Sequence, residues 1–414
     1  MSQTHPVIDP VLTDRLAEAA VRVGLNLQPG QDLVLTAPVG ALPLVRAIAA
    51  HAYKAGAGLV TPLLSDDEVT LARYRHGQDH AFDRATGWLY EGMGRAFDEG
   101  AARLAVAGGN PMLLAGQDTG HVARANKAMS MAYGPARERI TRFAINWAIV
   151  AWPDPAWAAL VFPGLPADEA MTTLAQAIFR ASRVDTPDPV AAWAAHNAEL
   201  AARCDWLNGQ RFAALRFRGP GTDLSVGLAE DHFWLGGATK AQNGVVCNPN
   251  IPSEEVFTTP HALRVEGTVR ATKPLSYQGT LIEEIEVRFE AGAIVEARAK
   301  SGEAVLQDVL KTDEGARRLG EVALVPHGSP IAQSGLLFYN TLFDENAASH
   351  IALGQCYSTC FRDGAQLSGD EIAARGGNRS AIHIDWMIGS GEVDVDGISA
   401  TGAVAPVMRA GGWV

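Results

Sequence analysis

Near the C-terminus the run 378–390 reads NRSAIHIDWMIGS, with His383 and Asp385 two positions apart in a largely apolar stretch. Residues Ile382 to Met387 are branched or aromatic enough to predict a β-strand. On a strand His383 and Asp385 point to one face, and Ile382, Ile384 and Trp386 to the other. Burying two polar groups without partners costs roughly 2–7 kcal/mol each, so this face needs a partner. A metal ion satisfies that need, and so does an ordinary salt bridge or hydrogen bond.

Further metal-ligating residue types lie in the same half of the chain. The segment NPNIPSEEVFTTP holds Glu254 and Glu255 between a proline turn and an extended stretch. Extended backbone sends adjacent side chains to opposite faces, so only one of the two enters a given pocket. RRLGEVALVP places Glu321 at the start of a strong strand signal. NTLFDENAASHIALGQCY predicts a helix capped by Asp344 or Asn346, with His350, Gly354 and Tyr357 on one face at spacings of four and three. On a regular helix Glu345 falls about 140° away from His350. Each residue has a plain structural reading as well: a solvated acidic pair, an acid flanking a strand, a hydrogen-bonded core histidine. Taken together, carboxylates and imidazoles without thiols among them form a donor set suited to divalent ions.

Other chemistries lack their residues. There is no HExxH for a helical zinc site, no GxSxG nucleophile elbow and no Walker A loop, and no GxGxxG follows a predicted strand. The net charge of −12, from 46 acidic and 34 basic residues, argues against sequence-independent nucleic-acid binding. No apolar run reaches the eighteen residues of a membrane span, and the start MSQTHPVIDPVLTDRLAEAA does not read as a signal peptide. Cys204, Cys247, Cys356 and Cys360 are too few and too scattered for a disulfide framework. A cytoplasmic protein without membrane or nucleic-acid partners is expected.

These residues need a scaffold, and 414 residues suggest two domains. The first half alternates helix and strand signals. DLVLTAP reads as a buried strand, LPLVRAIAAHAYKAGA as a helix and GLVTPLLSD as a second strand, a βαβ unit that implies a parallel sheet. GAARLAVAGG followed by NPMLLAG predicts a helix passing into a strand, and RFAINWAIVAWP repeats the pattern. A helix is expected from about Asp168 to Ser182, and another over VAAWAAHNAELAARCDWLN. From Arg211 short strands take over, with Gly292 at a hairpin tip. The expected architecture is an α/β domain with a largely parallel sheet over 1–204. An α+β domain carrying the metal site follows over 205–414.

IPSEEVFTTP, LGEVALV, NTLFDENAASHIALG and IHIDWMIGS resemble the four signature segments of the aminopeptidase T and aminopeptidase S family of bacterial dinuclear metallopeptidases. VGLNLQPGQDLVL and AWAALVFPGLPADEA are similar to other family segments, so the likeness spans most of the chain. The resemblance implies that Glu255, His350, His383 and Asp385 are metal ligands and that Glu321 bridges two ions. It places Tyr357 at or near the metals, and makes Glu345 either a ligand or a catalytic carboxylate. GQCYS departs from the family around the tyrosine, where a small residue more often precedes it and a proline follows. The function implied is a metal-dependent aminopeptidase that removes N-terminal residues from peptides with a free N-terminus, using two divalent ions (zinc, cobalt, manganese or magnesium). Glu345 or Glu254 would relay the proton to the leaving amine. The resemblance further implies a homodimer. The alternatives are a metal-dependent amidohydrolase acting on a non-peptide amide, and a metal-binding relative without turnover.

Overall fold

The structure is a computed structural model and describes residues 8–277 and 279–414, so the first seven residues of the N-terminal run quoted above lie outside it. The chain forms two compact units. The first takes residues up to Ala195 together with Ala238–Pro252; the second takes His196–Gly237 and Ser253–Val414.

The first unit is built on four parallel strands, β1 (Leu33–Pro38), β2 (Val60–Ser65), β3 (Ala102–Ala107) and β4 (Trp147–Ala151), in the order β2-β1-β3-β4. Strand β1 is central and covered on both faces, which explains its unbroken apolar run. Leu33 and Leu35 face one core, and Val34 faces another. Against the first face pack Leu16 of α1 (Pro10–Ala19) and Leu44 and Ile48 of α2 (Leu42–Lys54). Against the second pack Phe97 of α3 (Gly87–Asp98) and Ile140 of α4 (Thr119–Thr141). Asp9 caps α1 through its carboxylate, which accepts the Val11 N–H at 2.8 Å, and Pro10 sits where its missing N–H goes unneeded. Pro62 is tolerated because β2 is an edge strand.

GAARLAVAGG is a strand, β3, and NPMLLAG that follows is a succession of turns, so the expected helix-to-strand passage is corrected. A short alanine-rich run has no period long enough to separate the two states. Here the choice is made by pairing, since β3 sits between β1 and β4. The predicted helices near 168–182 and 190–208 are present as α5 (Ala167–Ala181) and α6 (Pro189–Gln210).

The second unit contains an eight-stranded and a five-stranded sheet. In the former, Glu286–Glu290 and Ala293–Arg298 form the hairpin expected around Gly292. Ala291 and Gly292 at its tip both have positive φ, as a two-residue turn requires. The five-stranded sheet holds β5 (Leu235–Gly236), β6 (Val256–Thr258), β7 (Leu319–Leu324), β8 (His350–Gly354) and β9 (His383–Met387), in the order β9-β8-β7-β6-β5. All its pairs are antiparallel. One face, carrying Val322, Ile351, Leu353 and Trp386, joins the unit's main core. The other carries the chemistry.

Candidate metal centre

Strand register decides which side chains meet. Glu321 of β7 pairs with Ala352 of β8, and Ala352 with Asp385 of β9. Directly opposed residues share a face, so two carboxylates flank one methyl group in a row across the sheet. In the neighbouring rows Ala323 and Met387 flank His350, and Gly354 lies opposite His383. Small residues at 323, 352 and 354 leave space above the sheet, and the polar ones close around it.

The sequence reading placed His350 on a helix, and this is corrected. Only Thr341–Asp344 is α-helical (α7), followed by a single 3-10 turn at Glu345–Ala347. His350 opens strand β8. Asn340 caps α7, its side chain accepting the Leu342 N–H at 3.1 Å; neither Asp344 nor Asn346 does so. Alanine and leucine favour a helix here, but β8 has a hydrogen-bonded partner on each side and all five of its residues are buried. Ladder pairing of a buried segment overrides local propensity. Gly354 has φ +101°, and a Cβ there would lie 2.1 Å from the carbonyl oxygen of Ile382, the residue before β9. The backbone leading into the neighbouring strand thus comes close to this glycine.

Two groups of donors result. Glu255, Glu321 and His350 form one, and Glu321, His383 and Asp385 the other; within each, the ligand atoms lie within 4.8 Å of one another. Glu321 belongs to both. Its Oε1 is 3.6 Å from His350 Nε2, and its Oε2 is 3.5 Å from His383 Nε2. Glu255 Oε2 lies 3.2 Å from His350 Nε2, and Asp385 Oδ1 3.5 Å from His383 Nε2. Both rings are oriented from behind. His383 Nδ1 lies 2.7 Å from the Gln355 carbonyl oxygen, and His350 Nδ1 3.2 Å from that of Ala348. With Nδ1 at a carbonyl, each Nε2 faces the carboxylates, the orientation a metal-ligating imidazole needs.

Electrostatics mark the same place. Burial, followed by the charges of Glu255 and Asp385, pushes the Glu345 carboxyl well above the usual carboxylate range. Burial likewise raises Glu255. Burial opposes charging of His350, yet Glu255 and Glu321 outweigh it and hold its pKa well above the ordinary imidazole value. His383 is raised in the same way by Asp385 and Glu321. Against its own burial, Asp385 is lowered by His383. Four acids thus crowd two imidazoles in a desolvated space, an excess of negative charge that divalent cations neutralise.

The remaining predicted residues stand around these groups. Glu345 acts electrostatically on Glu255 and Asp385 and lines a cavity with Asp385. Tyr357 lies just past β8 with its ring 4.7 Å from that of His383 and 6.2 Å from that of Phe257. Desolvation, then Glu321 and Asp385, raises its phenol well above the ordinary value. Glu254 is 2% exposed, with Oε2 3.7 Å from His196 Nε2, and belongs to neither donor group. Of the acidic pair, only Glu255 stands in a donor group.

Asn346, read from the sequence only as a candidate helix cap, is a positioning residue. Fully buried, its Oδ1 accepts the Glu254 N–H at 2.6 Å and its Nδ2 donates to the Leu342 carbonyl at 3.1 Å. It ties the acidic pair to the turn bearing Glu345. Gly320 is another: the β7–β8 register shifts between Leu319 and Glu321, and a Cβ on Gly320 would lie 2.4 Å from the carbonyl oxygens of both Gly354 and Gln355. A bulge re-aims the side chain that follows it, here Glu321. A glycine inside a strand signal was the available clue.

Residues 11–413 match the model of the thermophilic metalloprotease family M29. Aminopeptidase T of Thermus thermophilus is 55% identical over 401 residues, covering 97% of this chain and 98% of that protein. Aminopeptidase 2 of Geobacillus stearothermophilus is 45% identical over 400 residues, covering 97% of each. The solved structure of wild-type AmpT from Thermus thermophilus superposes with a TM-score of 0.93 at 54% identity, over 97% of this chain and 99% of that one. A buried carboxylate and imidazole site on such a scaffold defines a metallopeptidase. The chain belongs to the M29 metallopeptidase family.

Proposed function

We propose that the C-terminal part of the chain, residues 205–414, is the catalytic domain and holds two divalent ions. Glu255 and His350 serve one ion and His383 and Asp385 the other, with Glu321 between them. The chain is a metal-dependent aminopeptidase, a hydrolase of peptide bonds acting on peptides with a free N-terminus. The observation that carries the site assignment is the shared carboxylate. Glu321 presents one oxygen to each histidine, and each histidine is held from behind by a backbone carbonyl.

Bound divalent ions supply Lewis acidity, which activates water and polarises the scissile carbonyl. The chain's own groups do the rest. Glu345, whose carboxyl is kept easy to protonate by burial, takes the proton from water and delivers it to the leaving amine. Glu254, turned toward His196, keeps the acidic segment in register and is the second candidate for the relay. Tyr357 stands over His383, with its hydroxyl available either to an ion or to the developing oxyanion. Nitrogen and oxygen donors without thiolate suit zinc, cobalt, manganese and magnesium. Four buried free cysteines suit a reducing compartment, the cytoplasm, and the family resemblance implies a homodimer.

Chelation should abolish hydrolysis of aminoacyl chromogenic amides, and a restored divalent ion should bring it back. Turnover by protein shown metal-free by elemental analysis overturns the assignment.

A further inference from the structure

Beside the donor groups a cavity of about 40 Å³ opens, lined by Pro274, Leu275, Ser276, Tyr339 and Met387, with Asn340, Thr341, Asp344, Glu345 and Asp385 supplying its polar groups. Three features show how it is made. Met387 follows His383 and Asp385 at the same two-residue spacing on β9, so it stands on the ligand face as the third member of that row. Leu275 and Tyr277 pack on the main core, so Ser276 between them turns the other way, toward the cavity. Tyr339 is held at φ +56°, a conformation unusual for a bulky residue. The Asp344 carboxylate fixes it there by accepting the N–H groups on either side, from Phe338 at 2.7 Å and Asn340 at 2.9 Å. Backbone held in a sparsely populated region collects at ligand sites.

Resting on the aminopeptidase reading above, we propose that this cavity receives the side chain of the substrate's N-terminal residue and that Ser276 and Met387 set its size limit. The acidic rim of Glu345 and Asp385 faces the place where the substrate's ammonium group arrives, and the cavity lies directly behind it. At 10–15 Å³ per water-sized group, about three to four heavy atoms fit in the 40 Å³. Short aliphatic side chains, up to leucine, are therefore accepted, and an indole is refused. Met387, Pro274 and Leu275 supply the apolar contact, and the small Ser276 leaves room beside them.

The test is a panel of glycyl, alanyl, leucyl and tryptophanyl p-nitroanilides, assayed on metal-loaded wild type, Ser276→Trp and Met387→Ala. Wild type should prefer leucyl over glycyl and over tryptophanyl substrate by about 10-fold or more in kcat/KM, the scale on which hydrophobic pockets discriminate. Ser276→Trp, which fills the cavity from a half-buried strand, should reduce the leucyl-to-glycyl ratio by about 10-fold. Met387→Ala should move the preference the opposite way, toward the tryptophanyl substrate. Calorimetric binding of free leucine relative to free glycine should follow the same order without any turnover. Ratios that stay at wild-type values in both variants, with hydrolysis intact, overturn the cavity assignment and leave the aminopeptidase reading standing. Wild-type protein that hydrolyses none of the four with its metal restored overturns both.

Discussion

Replacing Gly320 by alanine puts the geometry of the shared carboxylate to a direct test. The new methyl group would start 2.4 Å from the carbonyl oxygens of Gly354 and Gln355. Reaching even 3.0 Å, below which real Cβ contacts essentially never fall, requires a retreat of about 0.6 Å. Both obstacles are backbone, so no flexible side chain can yield. Overpacking of this kind destabilises by about 1–3 kcal/mol, less than typical domain stability, so nearly all the protein should stay folded. The function should suffer more. Glu321 is the next residue, and the Gln355 carbonyl that must move is the one holding His383 Nδ1. A shift near 0.6 Å exceeds the tolerance of about 0.5 Å for productive sites, and misplacement by about 1 Å can reduce the rate 10²-fold. The expected result is a lower thermal midpoint, reduced metal content and kcat/KM down by about 10²-fold. Gly328→Ala is the control, since a Cβ there meets nothing within 4 Å. Wild-type kcat/KM and metal content in Gly320→Ala would refute the claim that the bulge aims Glu321.

Glu255→Gln should reduce metal affinity by more than the about 10–100-fold typical of losing an outer-shell partner, whereas Glu254→Gln should keep its ions. Metal titration of the two variants decides this, and the reverse pattern refutes the assignment. If Glu254 relays the proton, its variant should also lose roughly 10²–10⁴-fold in turnover; wild-type turnover assigns the relay to Glu345. Acetylating the α-amine of a good substrate should abolish hydrolysis, and equal rates on free and blocked substrates would favour the amidohydrolase alternative. Burial pushes the Asp344 carboxyl up to about 6, above its ordinary 3.8, so the native state keeps its proton to higher pH than the unfolded chain does. Stability should therefore fall by about 3 kcal/mol between pH 4 and pH 6 and level off above that. Metal-free Asp344→Asn should show a shallower fall of thermal midpoint over that window, and an unchanged slope refutes the point.

Much of the site was legible because strand alternation is local. His383 and Asp385 share a face from spacing alone. Glu321 sits where the strand signal placed it. What stayed hidden depends on pairing between distant segments. Nothing within residues 341–357 reveals two flanking strands, so alanine and leucine read as helix and His350 was put on the wrong element. Ala352 looked like filler until the register set it between Glu321 and Asp385. The return of Ala238–Pro252 to the first unit is equally invisible, since that stretch carries no hydrophobic period.

The ladder beneath the donors has a consequence for how the protein handles its ions. Glu321, His350, His383 and Asp385 hang from three adjacent strands whose hydrogen bonds and apolar underside do not depend on any cation. The scaffold is therefore a rigid template and not a coordination-driven fold, unlike small zinc domains that collapse only around their metal. Ions enter and leave a frame already standing, and one can replace another without the chain unfolding. The sheet itself holds the carboxylates and imidazoles in their places. On the two-ion reading proposed above, the composition of the surrounding metal pool would set which form of the enzyme is at work, on the timescale of ion exchange and not of protein synthesis.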